Sequence, residues 1–145
     1  MPKIFSHGGY NKYTAFDDNL ALVLQSGLVQ PVQVFFPSDI SASDKQAAEK
    51  QLLELVQKVI SDNKAVTVSY GRGVHTDFPY GNEEDNKTGA LFDISLGWKI
   101  VGEHDKFVES QTYKTMLQDI EKVKDVLAVE VRTIPVVGWE RNKAE

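Results

Sequence analysis

The chain of 145 residues contains no cysteine. Disulfides, thiolate nucleophiles and cysteine-based metal sites are therefore excluded. Histidine is also scarce, with three residues at His7, His75 and His104. None of them has a second histidine at the short spacing of a metal-binding motif. We therefore expect no metal and no other cofactor.

Basic charge and long apolar runs are missing as well. The chain has 16 Lys and Arg against 21 Asp and Glu, a net charge of −5, whereas nucleic-acid binding needs a basic surface. No apolar run has the length of a transmembrane helix, and residues 1–13 contain no signal-peptide core. We expect a cytoplasmic protein with neither a nucleic-acid nor a membrane partner.

The chain has the length of one domain, and its regular patterns begin at residue 31. Residues 1–30 mix Gly, Asn and aromatic residues without a period, which predicts an irregular arm. Within this arm, a short apolar helix is predicted after Asp17 or Asp18 and before Gly27. We expect this helix to pack on the body of the protein or on another subunit. Residues 31–136 form the predicted domain, and residues 137–145 form a polar tail.

Strand and helix patterns alternate through the domain. Strands are predicted at 32–37, 65–74, 90–98 and 126–136, helices at 41–63 and, in two pieces, at 103–124, and a loop at 75–89. Ser43 and Gln46 form a capping-box pattern at the first of these helices. The β-α-β-β-α-β order predicts a ferredoxin-like α+β fold, with a four-stranded antiparallel sheet and both helices on one face.

Strand periodicity divides the sheet residues between two faces. Phe92, Ile94 and Leu96 suit the face under the helices. The opposite face takes Leu91, Asp93 and Ser95 from the same strand, together with Thr67, Ser69, Gln33, Phe35, Glu130 and Arg132 from its neighbours. Such a mixture of apolar and polar residues favours the wall of a closed ligand cavity. The alternative is a sheet face that simply meets water.

A run of spaced residues after the third strand resembles a known superfamily. Trp98, His104, Phe107, Ser110 and Tyr113 form the pattern W-x5-H-x2-F-x2-S-x2-Y. With the element order, this pattern resembles the dimeric α+β barrel superfamily, in particular its antibiotic-biosynthesis monooxygenase, EthD and stress-responsive A/B barrel groups. The resemblance implies a homodimer in which two sheets close a barrel. The histidine that A/B barrel proteins often carry on the first strand is missing from VQVFF.

Three residues are candidates for proton transfer. The resemblance places His104 in the position of a pocket histidine, in the first turn of the second helix. Outside that resemblance it is an exposed or capping residue that does not pack in the core. His75 opens the acidic loop and is either an acid or base at a pocket mouth or a solvated residue. Asp93 is either a pocket acid or half of a buried pair with Arg132 or Ser69.

Six further residues are candidates for binding a substrate. They are Tyr70, Trp98, Tyr113, Phe35, Ser69 and Arg132, and the first three could equally be ordinary core residues. The resemblance implies a cofactor-independent enzyme that uses acid/base chemistry on a small apolar, aromatic or polyketide-like molecule, such as a cyclase, isomerase or monooxygenase. The alternative is a non-catalytic, ligand-binding or stress-response dimer. An RNA-recognition module shares the element order, but Leu91, Asp93 and Ser95 occupy the strand positions where it carries aromatic residues.

Overall fold

The computed structural model describes residues 3–7, 12–17, 20–61 and 66–135. Its strands are β1 (Lys3–His7), β2 (Lys12–Phe16), β3 (Leu28–Phe36), β4 (Val66–Gly73), β5 (Phe78–Pro79), β6 (Thr88–Trp98), β7 (Ala128–Val131) and β8 (Ile134–Pro135). Its helices are α1 (Leu20–Leu24), α2 (Ala42–Ile60), α3 (Val101–Glu109) and α4 (Gln111–Glu121). The predicted tail at 137–145 lies outside these ranges.

The strand order confirms the predicted ferredoxin-like α+β fold. The central strands run in the order β4-β6-β3-β7, and every neighbouring pair is antiparallel. Two crossovers of a β-α-β-β-α-β chain give this order. One core fills the space between the sheet and the helices α2 and α4, and Phe92, Ile94 and Leu96 lie in it as predicted. In the part of the chain that the structure describes, no helix is long and apolar enough to cross a membrane.

The prediction of an irregular arm is wrong for its described part. β1 and β2 form an antiparallel pair, and β2 continues the sheet beyond β4 through Thr14 opposite Gly73 and Phe16 opposite Gly71. Backbone pairing of this kind leaves little hydrophobic pattern in the sequence. The signal that was present is the Gly8-Gly9-Tyr10-Asn11 run between two five-residue segments, which is typical of a hairpin.

Pro31 lies inside β3, although the sequence predicted that the strand begins after it. Proline cannot donate to a strand ladder. Its carbonyl still accepts a hydrogen bond from Arg132 N at 3.2 Å. The complementary hydrogen bond, from the Pro31 nitrogen to the Arg132 carbonyl, cannot form. The edge strand breaks at this point into β7 and β8. The predicted fourth strand at 126–136 is therefore two short strands.

The helix predictions hold, with one change at a cap. Ser110 separates α3 from α4 and caps α4, since its hydroxyl accepts the Tyr113 N–H at 3.1 Å. The cap of α2 is Ser41, which accepts the Asp44 N–H at 3.1 Å, and the predicted capping box of Ser43 and Gln46 is wrong. Gly27 lies just past the end of α1, as predicted. Its φ of +91° is in the left-handed region that favours glycine after a helix.

Candidate functional site

The face of the sheet away from α2 and α4, which we call the outer face, carries polar residues between two apolar ends. Cross-strand register defines its rows. These rows are Leu91–Phe35–Ala128, then Gly71–Asp93–Gln33–Glu130, then Ser69–Ser95–Pro31, and finally Thr67–Gly97–Val29. The assignment of these residues to one face confirms the sequence-based prediction.

One end of the outer face is covered by α1. Gly97 allows this approach, because a Cβ atom there would lie 2.8 Å from Val23 Cα and 2.6 Å from Ser26 Oγ. Ser26 and Thr67 also share a hydrogen bond of 3.2 Å between their hydroxyls. The helix therefore packs on the body of its own chain, one of the two alternatives that the sequence left open.

The other end is covered by a segment predicted to be only a loop. Phe78 of β5 packs with Phe35 and Leu91 in a small buried cluster, and its ring fills the space that a side chain at Gly73 would occupy. Tyr80 stacks on Phe35 with 5.1 Å between ring centroids. Both apolar ends of the outer face are thus buried within one chain, so an uncovered apolar face cannot be the reason for dimerisation.

Asp93 lies between these two covers and is 2% exposed. Ser95 Oγ donates a hydrogen bond of 2.5 Å to its Oδ1, and Gln33 supplies another. Burial raises the pKa of Asp93 from 3.8 to about 6, against the smaller lowering effect of these two hydrogen bonds. A carboxyl of this kind exchanges its proton near neutral pH and is held in one orientation.

The partners predicted for Asp93 are wrong. Ser69 donates instead to Asp17 Oδ1 at 2.5 Å, and Arg132 is exposed at the edge of the face. The residues that do contact Asp93 are Ser95 and Gln33. Ser95 could have been found from the sequence, because residues two apart on a strand share a face. Gln33 could not, since its place opposite Asp93 depends on the strand register.

A cleft opens at the β7 edge of the outer face. Its volume is about 540 Å³, and it is lined by residues between Pro79 and Thr88 on one side and by Glu130 and Arg132 on the other. Glu130 Oε1 accepts the Gly81 N–H at 3.0 Å and ties the two sides together. Volumes of 300–1,000 Å³ are typical of small-molecule sites. The cleft thus has the size for a small ligand.

Trp98, His104 and Tyr113 lie on the other side of the sheet. The Trp98 indole N–H donates to Gln30 Oε1 at 3.1 Å, and the Trp98 and His104 rings meet edge to face at 5.7 Å. Burial raises the pKa of Tyr113, and a hydrogen bond with Gln30 opposes this shift. Phe107 packs against both Trp98 and Tyr113. These residues form an aromatic cluster beneath α3 and α4.

His104 is only 7% exposed, so the alternative of an exposed residue that does not pack in the core is wrong. Its Nδ1 lies 3.0 Å from Asp105 Oδ1. Its Nε2 is buried and has no hydrogen-bond partner. Among the described residues, no other buried side-chain nitrogen or oxygen atom lacks one. His104 is therefore a packing residue of the helical layer, and the sheet separates it from Asp93.

The remaining predicted site residues also lie in different parts of the molecule. Tyr70 packs with Phe92 in the core beneath the helices, at 6.1 Å between ring centroids. His75 is exposed in the turn between β4 and β5. The outer face thus brings together Asp93, Phe35, Ser69 and Arg132, but neither His104 nor His75 lies beside Asp93. No group of three or more His, Asp or Glu residues in the described ranges has the arrangement of a metal site.

Comparison with known proteins gives distant structural neighbours, and two of them are described here. No protein-family model and no curated protein matches the sequence. A dimeric protein of unknown function and ferredoxin-like fold from Bacteroides fragilis NCTC 9343 aligns with 75% of this chain and 96% of its own, at 10% identity and a TM-score of 0.44. A conserved protein from Methanosarcina mazei Go1 aligns with 77% and 95%, at 18% identity and a TM-score of 0.39. The fold assignment rests on the strand order and pairing of this chain.

Proposed function

We propose that this chain is a cofactor-independent enzyme that moves protons on a small aromatic or polyketide-like molecule, with Asp93 as acid and base. The position of Asp93 carries the proposal. Its carboxyl is buried in the middle of a sheet face, its pKa is about 6, and Ser95 and Gln33 orient it. A group whose pKa lies near the working pH is effective in both protonation states.

The chemistry follows from the two protonation states of Asp93. The carboxylate accepts a proton from a carbon next to a carbonyl group, or from a phenol. The resulting carboxylic acid returns the proton to another atom of the same molecule. This sequence completes an isomerisation, or a cyclisation by addition, without a further reagent. An oxygenation would in addition require dioxygen to oxidise the carbanion.

The second candidate function is ligand binding without catalysis. It is favoured by the position of His104, which lies across the sheet from Asp93. Neither His104 nor His75, the two histidines whose side chains the structure describes, lies beside Asp93 to relay its proton. In this case the cleft beside Glu130 and Arg132 would hold the ligand.

The proposal includes a homodimer, whose interface lies outside the sheet-to-sheet contact of the dimeric α+β barrel, because α1 and β5 cover the ends of the outer face within one chain. The adjacent Ile100 and Val101 support an interface, since they are 55% and 58% exposed in the single chain. Association buries such surface and removes it from water.

Proton exchange of an aromatic ketone tests the catalytic proposal. The probe is 2-tetralone in D₂O, and ¹H NMR follows the loss of its acidic C–H signals. We expect the wild-type protein to accelerate the exchange above buffer, and Asp93→Asn to reduce this acceleration by roughly 10²–10⁴-fold. Asp39→Asn is the matched control, because Asp39 is an exposed residue between β3 and α2.

Equal rates for Asp93→Asn and the wild type would overturn the role of Asp93. If the wild type binds 2-tetralone, as seen by saturation transfer from protein to ligand, but does not accelerate exchange, ligand binding without catalysis is the better account.

A further inference from the structure

We propose that the open edge of the sheet at β7 is the homodimer interface, where two chains pair in antiparallel orientation about a two-fold axis at Val131. This inference rests on the homodimer of the proposed function and deepens it by naming the contact. It does not depend on proton transfer by Asp93. It is carried by the direction of the backbone groups along this edge and by the order of the charges on it.

Residues 128–134, which we call the edge segment, keep one register along β3. Val131 lies opposite Val32 in β7, and Ile134 lies opposite Val29 in β8. The break between β7 and β8 thus does not shift the chain. The edge segment is the last one on this side of the described sheet, so a further strand can add along it.

The open side of the edge segment carries unpaired backbone groups. Arg132 N–H donates to Pro31 O, so the peptide groups of Arg132 face β3. In an antiparallel ladder the residues before and after it face the opposite way. Val129, Val131 and Thr133 therefore direct their N–H and C=O groups outward, and within the described ranges these groups have no backbone partner there. Such a row is a template for pairing with another strand.

The charges of the edge segment select one register for a second copy of the chain. Glu130 and Arg132 lie on the outer face, on either side of Val131. With the axis at Val131, Glu130 stands opposite the partner's Arg132, and Arg132 stands opposite the partner's Glu130. An axis at Glu130 or at Arg132 sets like charges directly opposite each other, which is destabilising. An axis at Val129 or Thr133 sets the charges opposite apolar residues.

The axis at Val131 also pairs the outward backbone groups. Val131 faces the partner's Val131, and Val129 faces the partner's Thr133. Residues that face each other in this way exchange both of their N–H···O hydrogen bonds. The next outward residue is Pro135, and the ladder ends there because proline has no N–H to donate.

The side chains of Glu130 and Arg132 are available for these contacts. Within the described ranges neither forms an ion pair. Arg132 is exposed, and Glu130 is held by the Gly81 N–H, which donates to its Oε1 at 3.0 Å. Opposite residues that do not exchange backbone hydrogen bonds have Cα atoms about 4.5 Å apart, which brings their side chains together. Since Glu130 lines the cleft, the partner's Arg132 borders that cleft in the dimer.

The apolar residues of the edge segment match in the same register. Ile134 is 46% exposed in the single chain and stands opposite the partner's Ala128, which packs on the cluster of Phe35 and Phe78. On the other face, Val131 packs against the main core and meets the partner's Val131 at the axis. Pairing thus removes apolar surface from water and joins the two cores.

Exchange of the two charges tests the inference. Arg132→Glu and Glu130→Arg each set like charges opposite each other in a homodimer, and we expect each to weaken self-association by at least about tenfold. An equimolar mixture of the two variants restores opposite charges at every position, so we expect a mixed dimer. Light scattering coupled to size exclusion measures the mass, and native mass spectrometry identifies the mixed dimer. Lys114→Glu makes the same change of charge as Arg132→Glu on exposed α4, and this control should remain dimeric.

A second variant, Val131→Pro, tests the backbone pairing. It removes an outward N–H at the axis and no hydrogen bond to β3, and proline is tolerated on edge strands whose N–H faces solvent. We expect a monomer with the circular dichroism spectrum of the wild type. A dimer of Val131→Pro with wild-type affinity would contradict the pairing.

Wild-type affinity of the Arg132→Glu dimer, or the absence of a mixed dimer from the two charge variants, would overturn the inference. The homodimer and its contact fail separately. If a variant with Ile100→Ser and Val101→Ser is monomeric while Arg132→Glu stays dimeric, the homodimer stands and its contact lies at α3. If the wild type is a monomer at micromolar concentration, the homodimer and this contact are both wrong. The role of Asp93 is then unaffected, since proton exchange tests it.

Discussion

Asp93 places a carboxyl where water cannot hydrate its charge, and this position has a thermodynamic consequence. Its pKa is about 6 in the folded protein, above the ordinary value of 3.8. Between these two pH values the folded protein keeps a proton that the unfolded chain releases. The free energy of unfolding therefore falls as the pH rises through this window. Above pH 6, where Asp93 is ionised in the folded protein, the free energy of unfolding is about 3 kcal/mol lower than at acidic pH.

Replacement of Asp93 by asparagine should remove this pH dependence. The amide carbonyl can still accept the hydrogen bond from Ser95, but it carries no charge. We expect Asp93→Asn to raise the free energy of unfolding by up to about 3 kcal/mol at pH 8 and to change it little at pH 4. Urea unfolding at both pH values measures the difference, with Asp39→Asn as the control. A gain of the same size at pH 4 and pH 8 would show that ionisation of Asp93 is not its cause.

His104 leads to a second prediction at the scale of one residue. Its ring is buried against Trp98, so His104→Ala should lower the free energy of unfolding by about 1–3 kcal/mol. His104→Phe keeps a ring in this position and removes the buried Nε2 that lacks a partner, and we expect it to lose less. Thermal and urea unfolding measure both variants. An unchanged melting temperature for His104→Ala would contradict the packing of His104 in the helical layer.

Sequence patterns located some of these residues and missed others for physical reasons. Strand periodicity placed Asp93 on the face opposite the helices, because alternation is fixed by the backbone. The burial of His104 was missed, because a short helix of charged residues gives no signal of how it is seated on Trp98. The ion pairs of Glu49 were missed as well. Glu49 is buried in α2 between Lys45 and Arg72, each at 2.7 Å, and Arg72 comes from a strand distant in sequence.

At the scale of elements, short segments of the chain turn an open sheet face into an enclosed one. α1 is only five residues long and β5 only two, yet they cover the two apolar ends of the outer face. The sequence predicted α1 from its caps and apolar run. β5 could not be recognised, since two residues show no periodicity and their pairing with β6 depends on the course of the loop.

A pair of glycines tests the packing of α1. Gly97→Ala would place a methyl group 2.6 Å from Ser26 Oγ and 2.8 Å from the backbone of Val23, and we expect a loss of about 1–3 kcal/mol in the free energy of unfolding. Gly102→Ala is the control, because nothing lies within 4 Å of its Cβ position in α3. An alanine there should stabilise the helix by roughly 0.5–1 kcal/mol. Equal effects of both changes would contradict the close approach of α1 to β6.

At the scale of the whole molecule, the alternation of element types was sufficient for the fold. Two β-α-β crossovers of fixed hand give the order β4-β6-β3-β7, and few other arrangements bury the same apolar faces. The additions to this frame were not predictable in the same way. The hairpin of β1 and β2 joins one edge through backbone pairing with β4, and Pro31 breaks the opposite edge by the loss of one donor.

The assembly of the molecule is a separate prediction. We expect a homodimer at micromolar concentration, because the adjacent apolar side chains of Ile100 and Val101 are more than half exposed in the single chain. Light scattering coupled to size exclusion measures the mass. Replacement of Ile100 and Val101 by Ser tests whether the apolar pair before and at the start of α3 takes part. A monomer at micromolar concentration in the wild type would contradict this prediction.

The central claim is that Asp93 exchanges its proton near neutral pH, and a titration of its own carboxyl carbon tests it most directly. Protein labelled with ¹³C on aspartate is titrated from pH 3 to pH 8, and Asp93→Asn identifies the Asp93 resonance by its loss. A midpoint at about 6 is the predicted result. A midpoint at or below the ordinary value of 3.8 would contradict the claim, since Asp93 would then stay ionised across the neutral range and would not act as an acid.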